Sequence, residues 1–131
     1  MSDQSDLARG WLNKADSDLF NARTIAATNG PYDTSCFHAH QAIEKSLKAF
    51  LAFHGQAIPR THDLEVLAQL CQTLDPLPEL DAHDLTALSD FAVQVRYDFA
   101  VWPTQAEAQA AVDTAHAVCS TIVAHLSLDP V

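Results

Sequence analysis

Apolar residues recur every three or four positions along most of the chain, and no stretch reads as a credible strand. Leu7, Trp11, Leu12, Ala15, Leu19, Ala22, Ile25 and Ala26 form one helix face and predict a helix over about 5–28, ended by Asn29-Gly30-Pro31. A second helix is expected from Asp33 or Thr34, either of which can act as N-cap, to about His54, with Gly55 as the residue that ends it. A short third helix over about 62–73, capped by Thr61 or Asp63, turns Leu64, Leu67, Leu70 and Cys71 inward. Asp75-Pro76-Leu77-Pro78 is a stiff linker. The fourth helix is expected from near Asp81 to about Tyr97, with Leu85, Leu88, Phe91, Ala92 and Val95 as its apolar positions. Trp102-Pro103 breaks the chain again, and Thr104-Gln105-Ala106-Glu107 is a capping-box pattern that opens a fifth helix. The fold class expected is therefore all-α: an up-and-down helical bundle of four long helices and one short one.

The 131 residues fit one domain, with its core over about 6–126. Seven Lys and Arg stand against seventeen Asp and Glu, a net charge of −10. A uniformly basic surface is thereby excluded, so neither DNA nor a membrane is an expected partner, and any anion site must be a local cluster. No run of about eighteen apolar residues is present, and Met1 to Asp6 is polar and acidic, unlike a signal peptide. Cys36, Cys71 and Cys119 lie far apart and form no C-x-x-C pair, which suits reduced cysteines in a cytoplasmic protein.

The second helix carries two stripes. Cys36, Ala39, Ile43, Leu47 and Phe50 are ordinary core, while His38, Gln41, Lys45 and Lys48 follow a 3-4-3 spacing on another side, flanked by Ala42, Ala49 and Ala52. The polar stripe fits a solvated face with contacts such as Gln41 to Lys45. It equally fits a polar groove for an anion or a partner chain, since small neighbours let another backbone approach. Lys45, Lys48 and Arg60 hold three of the seven basic side chains, and His62 with the next helix N-terminus follows Arg60 closely. There is no Gly-rich phosphate loop, G-x-S-x-G or H-E-x-x-H. His38 and His40 are about 200° apart on a helix and cannot share a metal from it. No metal or cofactor is expected.

The run Tyr32-Asp33-Thr34-Ser35-Cys36-Phe37-His38-Ala39-His40-Gln41-Ala42-Ile43-Glu44-Lys45-Ser46-Leu47-Lys48-Ala49 resembles the second helix of the HEPN domain (higher eukaryotes and prokaryotes nucleotide-binding), an aromatic followed by a QA-x-E-K-x-x-K-A core. Arg60-Thr61-His62-Asp63-Leu64 is similar to the R-T-H-D-L element that opens the family's next helix, and Arg96-Tyr97 to the R-Y that closes its fourth. Ala15-Asp16-Ser17-Asp18-Leu19 with Ala22, and Ala108 with Ala115, fit the two ends. The resemblance implies a small stand-alone prokaryotic member. Such a member is a bundle that pairs as a homodimer, works beside a minimal nucleotidyltransferase and serves in toxin–antitoxin or other defence modules. One large branch of the family consists of metal-independent ribonucleases, whose fourth helix carries an Arg, a polar residue and a His a few residues after the Arg. Here Arg96 is followed by Tyr97, Asp98, Phe99, Ala100, Val101, Trp102 and Pro103, with no His where that motif needs one. Metal-free RNA cleavage wants a group that moves a proton near neutral pH, which His does and Arg does not.

The expectation is accordingly a non-catalytic HEPN protein that binds a nucleotide or a nucleotidyltransferase. Lys45, Lys48, Arg60, His62 and Arg96 would contact phosphate around a groove lined by His38, Gln41 and Tyr97. Two alternatives stand beside it. One is a ribonuclease toxin with an atypical site, Arg96 and His62, if folding brings these together. The other is a purely structural dimerisation module. At single residues, Asp63 also reads as an N-cap, Arg96 as half of a buried ion pair, and Tyr97 as a packing residue with its hydroxyl at the rim.

Overall fold

The computed structural model of the chain describes residues 3–127, and among them every regular element is helical. The order is α1 (Asp3–Ala26), α2 (Asp33–Phe53), α3 (Leu64–Leu74), a 3₁₀ turn (Pro78–Ala82), α4 (Leu85–Tyr97) and α5 (Gln105–Leu126). The expected helical bundle is thus observed. No helix among the described residues is long and apolar enough to cross a membrane.

Helix α2 is the axis on which the others lean. It packs most extensively on α1, then on α5, and its far side meets α3 and α4. Ile43, Leu47, Phe50 and Leu51 of α2 are closed over by Leu64 and Leu67 of α3, Leu77 and Leu80 of the linker, Leu85 of α4, and Val118 and Ile122 of α5. Each such side chain contributes roughly 1.5–3 kcal/mol when fully buried. The alanines beside the polar stripe serve packing within the chain rather than a partner's approach. Ala42, Ala49 and Ala52 are all buried. Small residues on α1 (Ala8, Ala15, Ala22) are likewise buried, so the backbones of α1 and α2 lie close. Ser35 uses that proximity, donating from Oγ to the Ala22 carbonyl at 2.7 Å. The Ala42 carbonyl accepts from Cys119 Sγ of α5 at 3.6 Å. The small-residue border of the stripe is therefore filled from within the chain.

Local signals place the ends. Thr104 and Glu107 form the reciprocal capping box at α5, and Asp63 caps α3 by accepting from the amides of Glu65 and Val66. Two ends differ from expectation. Tyr32 occupies the N-cap position of α2 without a side-chain cap, so neither Asp33 nor Thr34 serves there. Helix α4 begins at Leu85 rather than near Asp81, because Pro78 starts a 3₁₀ turn and Asp84 Oδ1 then accepts from the Ala87 amide at 2.9 Å. Only Leu85 and Ser89 of α4 are buried. Ser89 Oγ accepts from the Leu64 amide at 3.0 Å and so ties α4 to the start of α3. The outer turns of α4 stand away from α2 and leave a cleft.

Candidate functional site

The cleft has a volume of about 250 Å³. Phe37, His40 and Gln41 of α2 form its floor side, His62 one end, and Arg96 and Tyr97 of α4 the opposite wall. Arg96 and His62, far apart in sequence, are thus brought to one site. The Arg96 guanidinium lies 5.3 Å from the Phe37 ring centre and 5.7 Å from that of Tyr97, a cation–π contact with each. It has no carboxylate partner among the described residues, so the ion pair considered for it is not formed. Tyr97 is 71% exposed and stands at the rim rather than packing inside.

Beneath the cleft lies Glu44, which is 4% exposed. Its Oε1 is 2.9 Å from His62 Nδ1, and its Oε2 accepts from Lys48 Nζ at 3.0 Å. With Nδ1 donating to the carboxylate, the His62 ring keeps Nε2 for a ligand. His40, one turn before Glu44, is 7% exposed. Burial pulls its pKa below the ordinary histidine value; the Glu44 carboxylate and a hydrogen bond with the His62 backbone oppose this, while the nearby charges of the His62 ring and Arg96 act in the same direction as burial. The cleft therefore holds a buried histidine, a carboxylate-anchored histidine and a guanidinium beside two aromatic rings, with Asp63 and Asp90 also in its lining.

Several residues expected in a shared cationic groove are elsewhere. Lys48 is 6% exposed, pinned on Glu44 and lying over the Trp11 ring at 5.7 Å. Lys45 donates to Asp18 Oδ2 of α1 at 2.6 Å, and the other oxygen of Asp18 meets His38 Nδ1 at 2.8 Å. Asp18 is itself 8% exposed, so this trio clips α1 to α2. Arg60 is exposed in the loop before α3, outside the cleft and without a hydrogen bond or ion pair among the described residues. The structure therefore corrects the five-cation groove. Lys45, Lys48 and His38 are held by buried carboxylates, Arg60 stands apart, and His62, Arg96, Gln41 and Tyr97 remain together. Glu44, His40 and Asp18 are site residues that sequence reasoning misses. For Glu44 a signal exists, since it sits one turn from both His40 and Lys48. Asp18 has none, because its partners lie on another helix.

Among the described residues no three His, Cys, Asp or Glu gather as a metal site. The thiols are free and held inert by burial, which pushes Cys36 and Cys119 up to about 11 and Cys71 up to about 12.

The HEPN domain model matches residues 8–126, and the chain belongs to that family. Among solved structures, it is similar to the crystal structure of TT1696 from Thermus thermophilus. The two share 30% identity over 88% of this chain and 94% of that one, with a TM-score of 0.71. A comparison with curated proteins gives no match.

Proposed function

We propose that the cleft between α2 and α4 binds the phosphate of a nucleotide or of an RNA strand. The observation that carries this reading is Arg96, a guanidinium in contact with two aromatic rings and without an ion pair among the described residues, in a chain of net charge −10. Its planar fork of N–H donors matches phosphate oxygens, and the flanking rings offer faces to a base. His62, when its ring carries both protons, adds a second donor to the cleft, with Nδ1 held by Glu44. Titration of the full chain with nucleoside monophosphates and short single-stranded RNA tests it. Binding should weaken as salt rises, and Arg96→Ala should reduce affinity at least about tenfold, some 1.4 kcal/mol. Unchanged affinity in Arg96→Ala would refute the reading.

A specific observation also favours a second reading, metal-independent ribonuclease activity. The Glu44–His62 pair has the form of a carboxylate-oriented general base, in the same cleft as a phosphate-stabilising arginine. His62 Nε2 would take the proton of a 2′-hydroxyl as its oxygen attacks phosphorus. The bond to the 5′-oxygen breaks, that oxygen takes a proton from water, and a 2′,3′-cyclic phosphate remains. Incubation of purified protein with RNA and chelator tests this. Intact RNA at high protein concentration would refute it, and cleavage lost in His62→Ala would support it.

The reading also includes two protein partners. A second copy would meet α4 at the rim of the cleft, where Val93 is apolar and exposed in this chain. Light scattering at micromolar concentration tests the pairing. A minimal nucleotidyltransferase encoded next door would co-purify with this chain.

A further inference from the structure

Arg96 and Phe37 belong to two cavities at once. Beyond them lies a larger pocket of about 320 Å³, lined in part by Thr34, Cys36, Val95, Phe99 and Trp102, with Asp33 as its carboxylate. Two features of this pocket bear on what it could hold. Phe99 is 88% and Trp102 62% exposed, so two large aromatic faces are left in solvent at its mouth. Asp33 is half-buried yet makes no hydrogen bond or ion pair among the described residues, since the N-cap of α2 is Tyr32 and the first turn does not use the carboxylate.

A ligand matching this pocket needs three parts in order. It needs hydrogen-bond donors facing Asp33, a flat apolar body between the aromatic rings, and an anion toward Arg96 and the adjoining cleft. A simple apolar guest leaves Asp33 and Arg96 without partners, and a cation meets Arg96 unfavourably. A nucleotide has a stacking body and an anion, and the carboxylate then selects the base. A carboxylate only accepts hydrogen bonds. Guanine alone offers it two adjacent donors, N1–H and N2–H, on the Watson–Crick edge. Adenine and cytosine place an unprotonated ring nitrogen beside their amino group, and uracil flanks its single N–H with carbonyl oxygens. Each of those three turns a lone pair toward the carboxylate.

We infer that the Phe99–Trp102 pocket is a base subsite selective for guanine, read by Asp33, with the phosphate of the same nucleotide on Arg96. The inference rests on the phosphate reading above for its second half only. Stacking on Trp102 supplies affinity for any base, and the paired hydrogen bonds to Asp33 supply the discrimination.

The test is a titration of the full chain with 5′-GMP, 5′-AMP, 5′-CMP, 5′-UMP, guanosine and ribose 5-phosphate, followed by tryptophan fluorescence and calorimetry. 5′-GMP should bind about tenfold or more tighter than the other three nucleotides, the discrimination of a good bidentate pair. Its quenching of fluorescence should vanish in Trp102→Phe. Asp33→Asn should abolish the preference, while Asp113→Asn, on the exposed side of α5, should retain it. An unchanged order of bases in Asp33→Asn, or 5′-GMP binding no better than ribose 5-phosphate, overturns the base subsite. Ribose 5-phosphate binding with no gain from any base leaves the phosphate reading standing and removes this one. Guanosine quenching Trp102 without any binding of ribose 5-phosphate does the reverse, and no binding by any of the six removes both.

Discussion

Glu44 and Lys48 form an ion pair of 3.0 Å in which both side chains are almost wholly inside the protein, and His62 closes on the remaining carboxylate oxygen. A pair in this situation gains little over an apolar pair, but losing one member strands the other charge. Glu44→Ala is therefore expected to cost roughly 3–5 kcal/mol. Glu44→Leu combined with Lys48→Met should recover most of that loss. Urea denaturation of the three proteins checks both statements, and a single variant as stable as the parent would contradict the first.

The Asp18 trio predicts a smaller penalty for the same kind of change. Lys45 and His38 keep a quarter or more of their side-chain surface in solvent and can turn outward when the carboxylate is removed. Asp18→Ala should cost about 1–3 kcal/mol, the range for losing buried hydrogen-bond partners. The comparison with Glu44→Ala under one set of conditions is the informative measurement, because burial alone separates the two cases.

His40 gives the fold a sensitivity to acid. Its pKa is lowered inside the protein by burial, so the unfolded chain takes up a proton at a pH where the folded chain does not. Its contribution to stability is therefore fully present above the ordinary histidine value of about 6.5 and is lost as pH falls below it. His38, His62 and His125 each face a carboxylate, so the useful quantity is the difference between variant and parent. Replacement by Gln at His40 should flatten the loss of stability between about pH 7 and pH 5. Thermal unfolding across that range measures it.

The three thiols should be slow toward disulfide reagents at neutral pH. Burial holds Cys36 and Cys119 near 11 and Cys71 near 12, so almost no thiolate is present at pH 7. Reaction should become rapid, with three equivalents per chain, once denaturant is added. A fast-reacting native thiol would show that one of these sites opens to solvent.

Much of the fold can be read from spacing. The three-and-four periodicity of α1, α2 and α5, the Thr104–Glu107 box and the Asp63 cap are all local, and each depends on residues within one turn of its neighbours. Spacing places the start of α4 too early because Asp81 and Asp84 are both plausible caps, and only Pro78 folding into a 3₁₀ turn decides between them. For the site, residue type identifies the cations but not their state. Whether a lysine is available to a ligand depends on partners such as Asp18, which lies 27 positions from Lys45. Periodicity places a residue on a face of its own helix and says nothing about the charge that the neighbouring helix sets opposite it. Arg96 is identifiable from its motif, while its freedom from any carboxylate is a property of the assembled bundle.

The shallow seating of α4 has a consequence for anything that binds beside it. With only Leu85 and Ser89 buried, this helix is the least anchored among the described residues. Its amides should be the first of the helical amides to exchange with deuterated solvent. A guest gripping Arg96 on one side and Phe37 on the other fastens that loose stave to the central shaft. Occupancy would then register as slowed exchange along the whole of α4, well beyond the atoms the guest touches.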